Sequence, residues 1–170
     1  IGVYNGEETI AACLDSLLKQ NYPKDRYSVI VVENGSTDST TEIVERYPVR
    51  LYHNSIRGVA PARNLGVSKS NAEIIATTDA DCIADPNWLR ELVAPYDDPT
   101  VGGTCGEISA FPSEDRNLVE QFSDTHAPLT NYTSGANEFL PFMIGANLSI
   151  RRTLFIEIDG FSEGMTTAED

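Results

Sequence analysis

The stretch "YSVIVVENGSTDSTTEIVERYPVRLYH", residues 27–53, decides the fold class. It opens with a continuous β-branched run, passes through a polar turn, and continues into a short helical segment at about Thr40–Tyr47. A second strand, "VRLYH", follows. Continuous apolar strands are typical of parallel sheets covered on both faces, and parallel strands need a crossover connection such as a helix. The stretch therefore predicts a β-α-β unit.

The same alternation runs through the rest of the chain. Residues 3–23 predict an amphipathic helix, because apolar side chains recur at helical spacing at Ile10, Cys13, Leu14, Leu17 and Leu18. Later segments predict further elements: a helix at 61–70, a strand at 73–79, a helix at 85–96 that Asp85 caps, a strand near 102–110, and a strand plus short helix at 145–161. Strands alternating with helices predict a single α/β domain over residues 1–170, a three-layer α/β/α sandwich with a mostly parallel sheet.

Composition and charge exclude several classes of protein. With 170 residues, 41% apolar and 22% charged, the chain is long enough to bury a core. Its net charge of −14 opposes nonspecific binding to nucleic acid or to anionic lipid. No apolar run is long enough to span a membrane, and no signal peptide is recognisable. The chain starts without Met inside an apolar stretch and stops without a closing pattern, so we expect a fragment truncated at both ends.

The cysteines and histidines suggest no chemistry of their own. Cys13, Cys82 and Cys105 are odd in number and form no C-x-x-C pair, which favours neither a zinc site nor a disulfide framework. A reducing, cytosolic setting is the simplest interpretation. His53 and His126, the two histidines, leave little material for a Ser-His-Asp triad, and we interpret both as structural or surface residues.

Asp79 and Asp81 form the most distinctive cluster, in "IATTDADCIADPNWL", residues 75–89. If the strand continues through Ala80, both side chains point the same way, and two close carboxylates repel unless a cation lies between them. Mg²⁺ or Mn²⁺ fits such oxygen ligands and completes its shell with water and phosphate oxygens. A cation would also let an acidic protein hold a diphosphate. The alternative is that Asp79 caps a turn without any ligand.

Other motifs with paired aspartates fit poorly. An EF-hand counted from Asp79 would need Gly and Glu where Ala84 and Arg90 stand. A phosphatase with a nucleophilic Asp would need Thr at Ile83. No P-loop, G-x-G-x-x-G or G-x-S-x-G motif occurs.

Four segments in their order resemble a known family. "VYNGEETIAACLDSLLKQNYP", "VIVVENGSTDST", "GVAPARNLGVSKSNAEIIATTDADC" and "GANLSIRRTLFIEIDGFSE…AED" together resemble an inverting family 2 glycosyltransferase of GT-A fold, over essentially the whole chain. The resemblance implies a Rossmann-like nucleotide-binding sheet and a hexosyltransferase that uses Mg²⁺ or Mn²⁺. Its donor would be a nucleotide-diphosphate sugar, a UDP-sugar, and its acceptor a saccharide, a lipid-linked group or a protein.

The resemblance also assigns residues to the nucleotide. Tyr4 would line the base with its ring as a stacking face, and Glu33 stands where the family usually has Asp, contacting base or ribose. Arg63 matches the family's Arg-Asn pair and would face the nucleotide, unless it is a helix-surface residue bound to a neighbouring acid. Arg57 and Gly58 are weaker candidates in the adjoining loop.

The remaining site residues follow from the family's later motifs. Asp79 and Asp81 match its D-x-D, with Asp81 the metal ligand and Asp79 a metal ligand, ribose contact or outer-shell group. The acceptor and donor-sugar side would consist of Gly145, Ala146, Asn147 and Glu169. Asp170 matches the general base of the "ED" motif.

Two alternative functions stay open. A noncatalytic nucleotide-sugar-binding domain would keep the base site but needs neither Asp81 nor Asp170. A sugar-nucleotide pyrophosphorylase usually has a Gly-rich basic loop after the first strand, where this chain has the acidic "YNGEETI". Gly2 stands where the family commonly has Pro, and the fragment alone is expected to bind donor without necessarily turning it over. We expect a cytoplasmic location, at the membrane face only through segments outside this sequence.

Overall fold

The computed structural model describes residues 1–109 and 144–163, and the fold is an alternation of short strands and helices. The strands of the described residues are β1 (Gly2–Val3), β2 (Ile30–Glu33), β3 (Arg50–His53), β4 (Ile74–Thr78), β5 (Gly103–Cys105) and β6 (Asn147–Arg151). The helices are α1 (Ile10–Leu18), α2 (Thr40–Val44), α3 (Val59–Ser68), α4 (Trp88–Val93) and α5 (Arg152–Glu157), with a 3₁₀ turn at Ala94–Asp97.

The first sheet is parallel, in the order β1-β2-β3. Val3 pairs with Glu33, and Glu33 pairs with His53, so the three strands end level with one another. The β-α-β unit predicted from residues 27–53 is therefore confirmed. Its consequence is that the loops after β1, β2 and β3 all leave from one edge of the sheet.

Helices cover both faces of this parallel sheet. Val31 packs into a fully buried cluster with Ile10 and Leu14 of α1 and Val44 of α2. Its neighbour Val32 points the other way, towards α3, where a Cβ on Gly66 would lie 3.4 Å from it. Burying a Val or Leu side chain stabilises a fold by about 1.5–3 kcal/mol, so both layers hold the strands in place. The predicted three-layer α/β architecture is confirmed here.

The second sheet is antiparallel, in the order β4-β6-β5. Strand β6 lies between β4 and β5 and runs opposite to both. A small buried cluster of Val67, Ile75 and Phe155 packs α3 and α5 against β4. The parallel character predicted from the sequence therefore belongs to the first three strands, and the chain continues into an antiparallel half.

Two local predictions around β4 and α4 are wrong. Strand β4 ends at Thr78, and Asp79 begins a turn in which the Cys82 N–H donates to the Asp79 carbonyl at 3.3 Å, so strand geometry does not reach Ala80. Helix α4 has Asn87 as its N-cap, while Asp85 Oδ1 accepts from the Asn87 N–H at 2.8 Å in a turn one step earlier. In both places a short aspartate side chain or carbonyl closes a turn that competes with the regular element.

In the residues that the structure describes, no helix has both the length and the apolar character to cross a membrane.

Candidate functional site

Three polar residues stand at the carboxyl edge of the parallel sheet, and two of them, Tyr4 and Glu33, are predicted to bind the nucleotide. Tyr4 follows β1, Glu33 ends β2, and His53 ends β3. The Asn34 N–H donates to the Val3 carbonyl at 2.9 Å and the Asn54 N–H donates to the Glu33 carbonyl at 2.8 Å, which continues the ladder into the loops. Ligands of α/β sheets bind at this edge, outside the carboxyl ends of the strands.

Reciprocal hydrogen bonds join the loop after β1 to the loop after β2. The Glu7 N–H donates to Asp38 Oδ2 at 3.1 Å, and the Ser39 N–H donates to Glu7 Oε2 at 3.0 Å. Asn5, at a φ of 49°, accepts the Thr37 N–H on its Oδ1 at 2.8 Å. Each loop thus satisfies backbone groups of the other, and these hydrogen bonds tie the two loops together.

Asp38 remains ionised within this pair of loops. Desolvation pushes the pKa of Asp38 up, but hydrogen bonds from the Thr40 hydroxyl and N–H and from the Glu7 N–H outweigh it and lower the pKa. The negative charge of Asp38 is therefore stabilised by hydrogen bonds within the two loops. The acidic "YNGEETI" segment organises this edge of the sheet through hydrogen bonds to its own and neighbouring backbone.

Glu33 is buried at the end of β2, with its side chain 7% exposed. Its carboxylate accepts the Ser36 N–H and lies 3.3 Å from His53 Nδ1. Burial raises the pKa of Glu33, but hydrogen bonds from Ser36, Gly35 and His53 overcome that effect and leave the pKa below its usual value. The charged carboxylate thus closes the turn that follows β2, and the longer side chain folds back onto that turn.

We expect Glu33→Gln to destabilise the protein by about 1–3 kcal/mol at neutral pH, since a buried charge-assisted hydrogen bond is weakened. Because the folded pKa lies below the ordinary 4.5, this contribution is complete above pH 4.5 and is lost as pH falls through the folded pKa. Urea denaturation at several pH values should therefore show the two proteins converging in acid.

The control for this experiment is Glu91→Gln, whose side chain is 68% exposed on α4. It should change stability by no more than about 0.5 kcal/mol at any pH. Parallel pH profiles for wild type and Glu33→Gln would contradict the assignment of Glu33 as the ionised closure of the turn.

Arg63 and Asp79 form an ion pair beneath the edge. Arg63, on α3, is 7% exposed, and its Nη2 donates to Asp79 Oδ1 at 2.9 Å. Its guanidinium also lies 5.3 Å from the centre of the Phe161 ring. Arg63 is therefore a buried residue bound to an acid of the site, and not the helix-surface residue of the alternative interpretation. It fixes one oxygen of Asp79 and leaves that side chain 43% exposed.

Asp81 is exposed in the turn after Asp79. Within residues 1–109 and 144–163, no basic side chain forms an ion pair with Asp81, and Cys82 Sγ donates to its Oδ1 at 3.8 Å. Those ranges contain no group of three or more His, Cys, Asp or Glu residues arranged to hold a metal. Mg²⁺ is commonly held by one or two carboxylates together with substrate phosphates, so the carboxylate oxygens of Asp79 and Asp81 are of the chemical type that such an ion takes.

The predicted acceptor side borders Asp79 through β6. Asn147 pairs with Thr78 in register, and the Gly145 carbonyl accepts the Thr77 hydroxyl at 2.6 Å. Asn147 is 8% exposed; its Oδ1 accepts from Trp88 Nε1 at 2.8 Å and its Nδ2 donates to the Glu107 carbonyl at 2.9 Å. Ala146 lies between Gly145 and Asn147 in the chain. The sequence did not identify Trp88 as a partner of Asn147, because the two residues are 59 positions apart and no local pattern links them.

Glu169 and Asp170, together with His126, lie outside the described residues, so their predicted roles stay predictions.

A mostly apolar cavity of about 450 Å³ lies behind this edge, between β2, β4 and helices α1, α3 and α4. Arg63 and Thr78 line it, whereas Tyr4, Glu33 and Asp81 do not. We assign the candidate site to the charged groups at the sheet edge and not to this cavity. The cavity wall is mostly apolar, and neither Asp79 nor Asp81 lines it.

The sequence matches a family model over most of its length. The model described as "Glycosyl transferase family 2" matches residues 1–159. The chain belongs to glycosyl transferase family 2. The family predicted from the order of the four segments is therefore confirmed.

Individual proteins resemble this chain in sequence or in fold. Glycosyltransferase AglE of Haloferax volcanii is 37% identical over 110 residues, which are 61% of this chain and 34% of AglE. The crystal structure of S. aureus TarS 1–349 in complex with UDP-GlcNAc has a TM-score of 0.72 at 24% identity, covering 99% of this chain and 49% of that one. This likeness supports the GT-A fold.

A third similar protein is mannosyltransferase PcManGT from Pyrobaculum calidifontis, whose structure was solved in complex with GDP-Man and Mn²⁺. It has a TM-score of 0.70 at 27% identity and covers 95% of this chain and 46% of that one. This family 2 chain thus spans between about a third and a half of the relatives named here.

Proposed function

We propose that this chain is the donor-binding part of a metal-dependent, inverting glycosyltransferase that uses a UDP-sugar. The observation that carries the proposal is the arrangement at the sheet edge: Asp79 is held by buried Arg63, and exposed Asp81 follows it. Tyr4 follows β1 and Glu33 ends β2, and a Cβ on Gly6 would lie 3.9 Å from the Cβ of Ala80, the residue between the two aspartates. This proximity supports a donor site shared by the base, the diphosphate and a cation.

The known relatives support the nature of the donor. TarS was solved with UDP-GlcNAc, and PcManGT with GDP-Man and Mn²⁺. Both ligands are nucleoside-diphosphate sugars, which differ in base and sugar. We assign uridine as the base, guanosine being the alternative that the experiment below compares.

The chain's own residues divide the work of a single displacement. Tyr4 and Glu33 bind the nucleoside end. Arg63 holds one oxygen of the Asp79 carboxylate in position by a hydrogen bond. A divalent cation held by Asp81 and Asp79 would stabilise negative charge on the departing diphosphate. Asp170 takes the proton of the acceptor hydroxyl as its oxygen attacks the anomeric carbon. The nucleoside diphosphate leaves from the opposite face, and configuration inverts.

The acceptor is a hydroxyl of a saccharide, a lipid-linked group or a protein. Gly145, Ala146 and Asn147 border the donor sugar and the acceptor in this proposal, with Glu169 beside the base. Their backbone at the start of β6 lies next to the end of β4, which supports that placement.

Isothermal titration of the purified, folded protein with UDP and with GDP, each with and without Mn²⁺, tests the proposal. We expect UDP to bind in the presence of Mn²⁺ and at least about tenfold more weakly without it, since the cation offsets repulsion between diphosphate and carboxylates. Tighter binding of GDP than of UDP would replace uridine by guanosine as the assigned nucleoside. Binding of neither nucleotide to a folded sample would overturn the function.

A further inference from the structure

Helix α1 is hydrogen-bonded to the turn that carries Asp81. Cys13 Sγ donates to the Asp79 carbonyl at 3.4 Å. Ser16 Oγ accepts the Ala84 N–H at 3.0 Å. Cys13 and Ser16 are three positions apart in the helix, so their side chains lie on the same face. The segment after β4 is therefore held to α1 at two points, one before and one after Asp81 in the sequence.

The Ser16 hydroxyl is oriented by a second hydrogen bond. Its Oγ donates to the Cys13 carbonyl at 2.7 Å, so its lone pairs are directed away from the helix and one of them accepts the Ala84 N–H. Cys13 is buried, which leaves the helix behind this hydroxyl packed in the core. The hydroxyl thus uses both its donor and its acceptor capacity, and it joins the turn to a fixed part of the fold.

Gln20, two residues beyond the end of α1, holds the later part of the same segment. Gln20 is 2% exposed, and its Nε2 donates to the Ser16 carbonyl at 3.1 Å, which attaches the amide to the last turn of the helix. The same Nε2 donates to the Asp85 carbonyl at 2.8 Å, and Oε1 accepts the Leu89 N–H at 3.0 Å. The whole connection from β4 to α4 is therefore hydrogen-bonded to α1 and to the residue that closes it.

The beginning of α1 lies at the nucleoside end of the candidate site. The Gly6 carbonyl accepts the Ile10 N–H at 2.9 Å, and the Gly6 N–H donates to Thr40 Oγ1, at the start of α2, at 2.8 Å. A helix is a rigid support for a site, more so than a loop. Helix α1 therefore sets the distance between the loops after β1 and β2 and the turn after β4.

We propose that Ser16 and Gln20 are positioning residues for the cation, because they hold the turn after β4 against α1 and so place Asp81 beside the diphosphate. This inference rests on the proposed function. Asp81 is exposed, so the backbone on which it stands decides where its carboxylate can reach. A turn that must become ordered when a ligand binds lowers the affinity, and a turn that is already fixed does not. The two residues therefore act only on binding that uses Asp81.

Isothermal titration of Ser16→Ala with UDP, with and without Mn²⁺, tests the proposal; GDP replaces UDP if the wild type prefers it. The substitution leaves the Ala84 N–H without its acceptor, and we expect Mn²⁺-dependent binding to weaken roughly three- to tenfold, the effect of one hydrogen bond. Affinity without Mn²⁺ should stay unchanged. Ser16→Thr should restore the response to Mn²⁺, since a Thr hydroxyl also bonds the carbonyl one helical turn earlier.

Gln20→Met gives a second, independent variant. Met fills a similar space without the amide, so Asp85 and Leu89 lose their partner on α1 while the packing is retained. The same selective loss of Mn²⁺-dependent binding is expected. NMR hydrogen exchange of the metal-free protein provides a readout that needs no ligand, and the Ala84 N–H should exchange faster in Ser16→Ala than in the wild type.

Ser68→Ala is the matched control. The Ser68 hydroxyl donates to the Leu65 carbonyl at 2.7 Å, the same contact within α3 that Ser16 makes within α1, so its loss should leave UDP binding unchanged in both conditions. An equal loss with and without Mn²⁺ in Ser16→Ala would make its role purely structural and overturn the proposal. A wild type that binds UDP no better with Mn²⁺ contradicts the proposed function. A wild type and a Ser16→Ala variant that respond equally to Mn²⁺ refute the positioning role alone.

Discussion

Asp81→Asn is expected to bind UDP roughly a hundredfold more weakly than the wild type in saturating Mn²⁺, and no better with Mn²⁺ than without it. The physical reason is that a divalent cation bridging carboxylate and diphosphate contributes several kcal/mol of charge stabilisation, and the amide is a poor substitute ligand. Asp81 is exposed and has no basic partner among the described residues, so this substitution breaks no ion pair there.

Without Mn²⁺, the effect of Asp81→Asn on UDP affinity is expected to have the opposite direction. Without Mn²⁺, Asp81 repels the diphosphate, so Asp81→Asn should bind UDP slightly more tightly than the wild type. The order of the two affinities therefore reverses when Mn²⁺ is added. Isothermal titration of both proteins in chelator and in Mn²⁺ measures the four affinities.

Asp97→Asn is the matched control, because it removes the same charge from the 3₁₀ turn after α4. It should leave the wild-type response to Mn²⁺ intact. If Asp81→Asn keeps that response, the cation is bound by other groups and the role assigned to Asp81 is wrong. A loss of binding that is equal with and without metal would point to a damaged site.

The surroundings of Asp79 differ from those of Asp81. One of its oxygens is already bound to buried Arg63 at 2.9 Å, and an Arg–carboxylate contact of this length is a charge-assisted hydrogen bond. Asp79 can thus offer a second oxygen to a metal or a ribose without moving. Arg63 then acts by holding that carboxylate in position, which joins α3 to the end of β4.

The parallel half of the fold could be predicted because its signal is local. The β-branched run at 27–33 and the apolar spacing of Ile10, Leu14 and Leu17 each specify an element from a few adjacent residues. The antiparallel half could not be predicted in the same way. Strand β6 pairs with β4 and β5, which lie more than 40 residues earlier in the sequence. The sequence of a short strand does not indicate which strands it will pair with.

The residues of the candidate site could be selected from the sequence, but their arrangement in the fold could not. Asp79 and Asp81 stand out by spacing, yet the argument from strand alternation fails because β4 ends at Thr78. The contacts of Tyr4 with Arg57 and of Arg63 with Asp79 depend on loops and helices that only the folded chain brings together. Residue types therefore suggested the ligand, while long-range packing decides which groups can reach it.

The network between the loops after β1 and β2 makes the acidic segment compatible with the proposed polyanionic ligand. Asp38 and Glu7 direct their carboxylates at backbone N–H groups, and Glu33 does the same at Ser36. Charges used in this way are partly neutralised by the donors and are fixed in space. A folded, preorganised edge costs less to order when the nucleotide binds.

Asp170→Asn in the full-length protein should slow turnover by about 10²–10⁴-fold while leaving UDP affinity unchanged, as loss of a general base does. Asp170 lies outside the described residues, so the prediction follows from the "ED" motif at 169–170. Release of UDP from a panel of UDP-sugars, with water in place of the unknown acceptor, provides the assay. Glu157→Gln, on α5, is the control and should turn over normally. Unchanged turnover in Asp170→Asn would place the base elsewhere. A wild type that binds UDP with Mn²⁺ yet releases none from any UDP-sugar would favour the noncatalytic nucleotide-sugar-binding alternative.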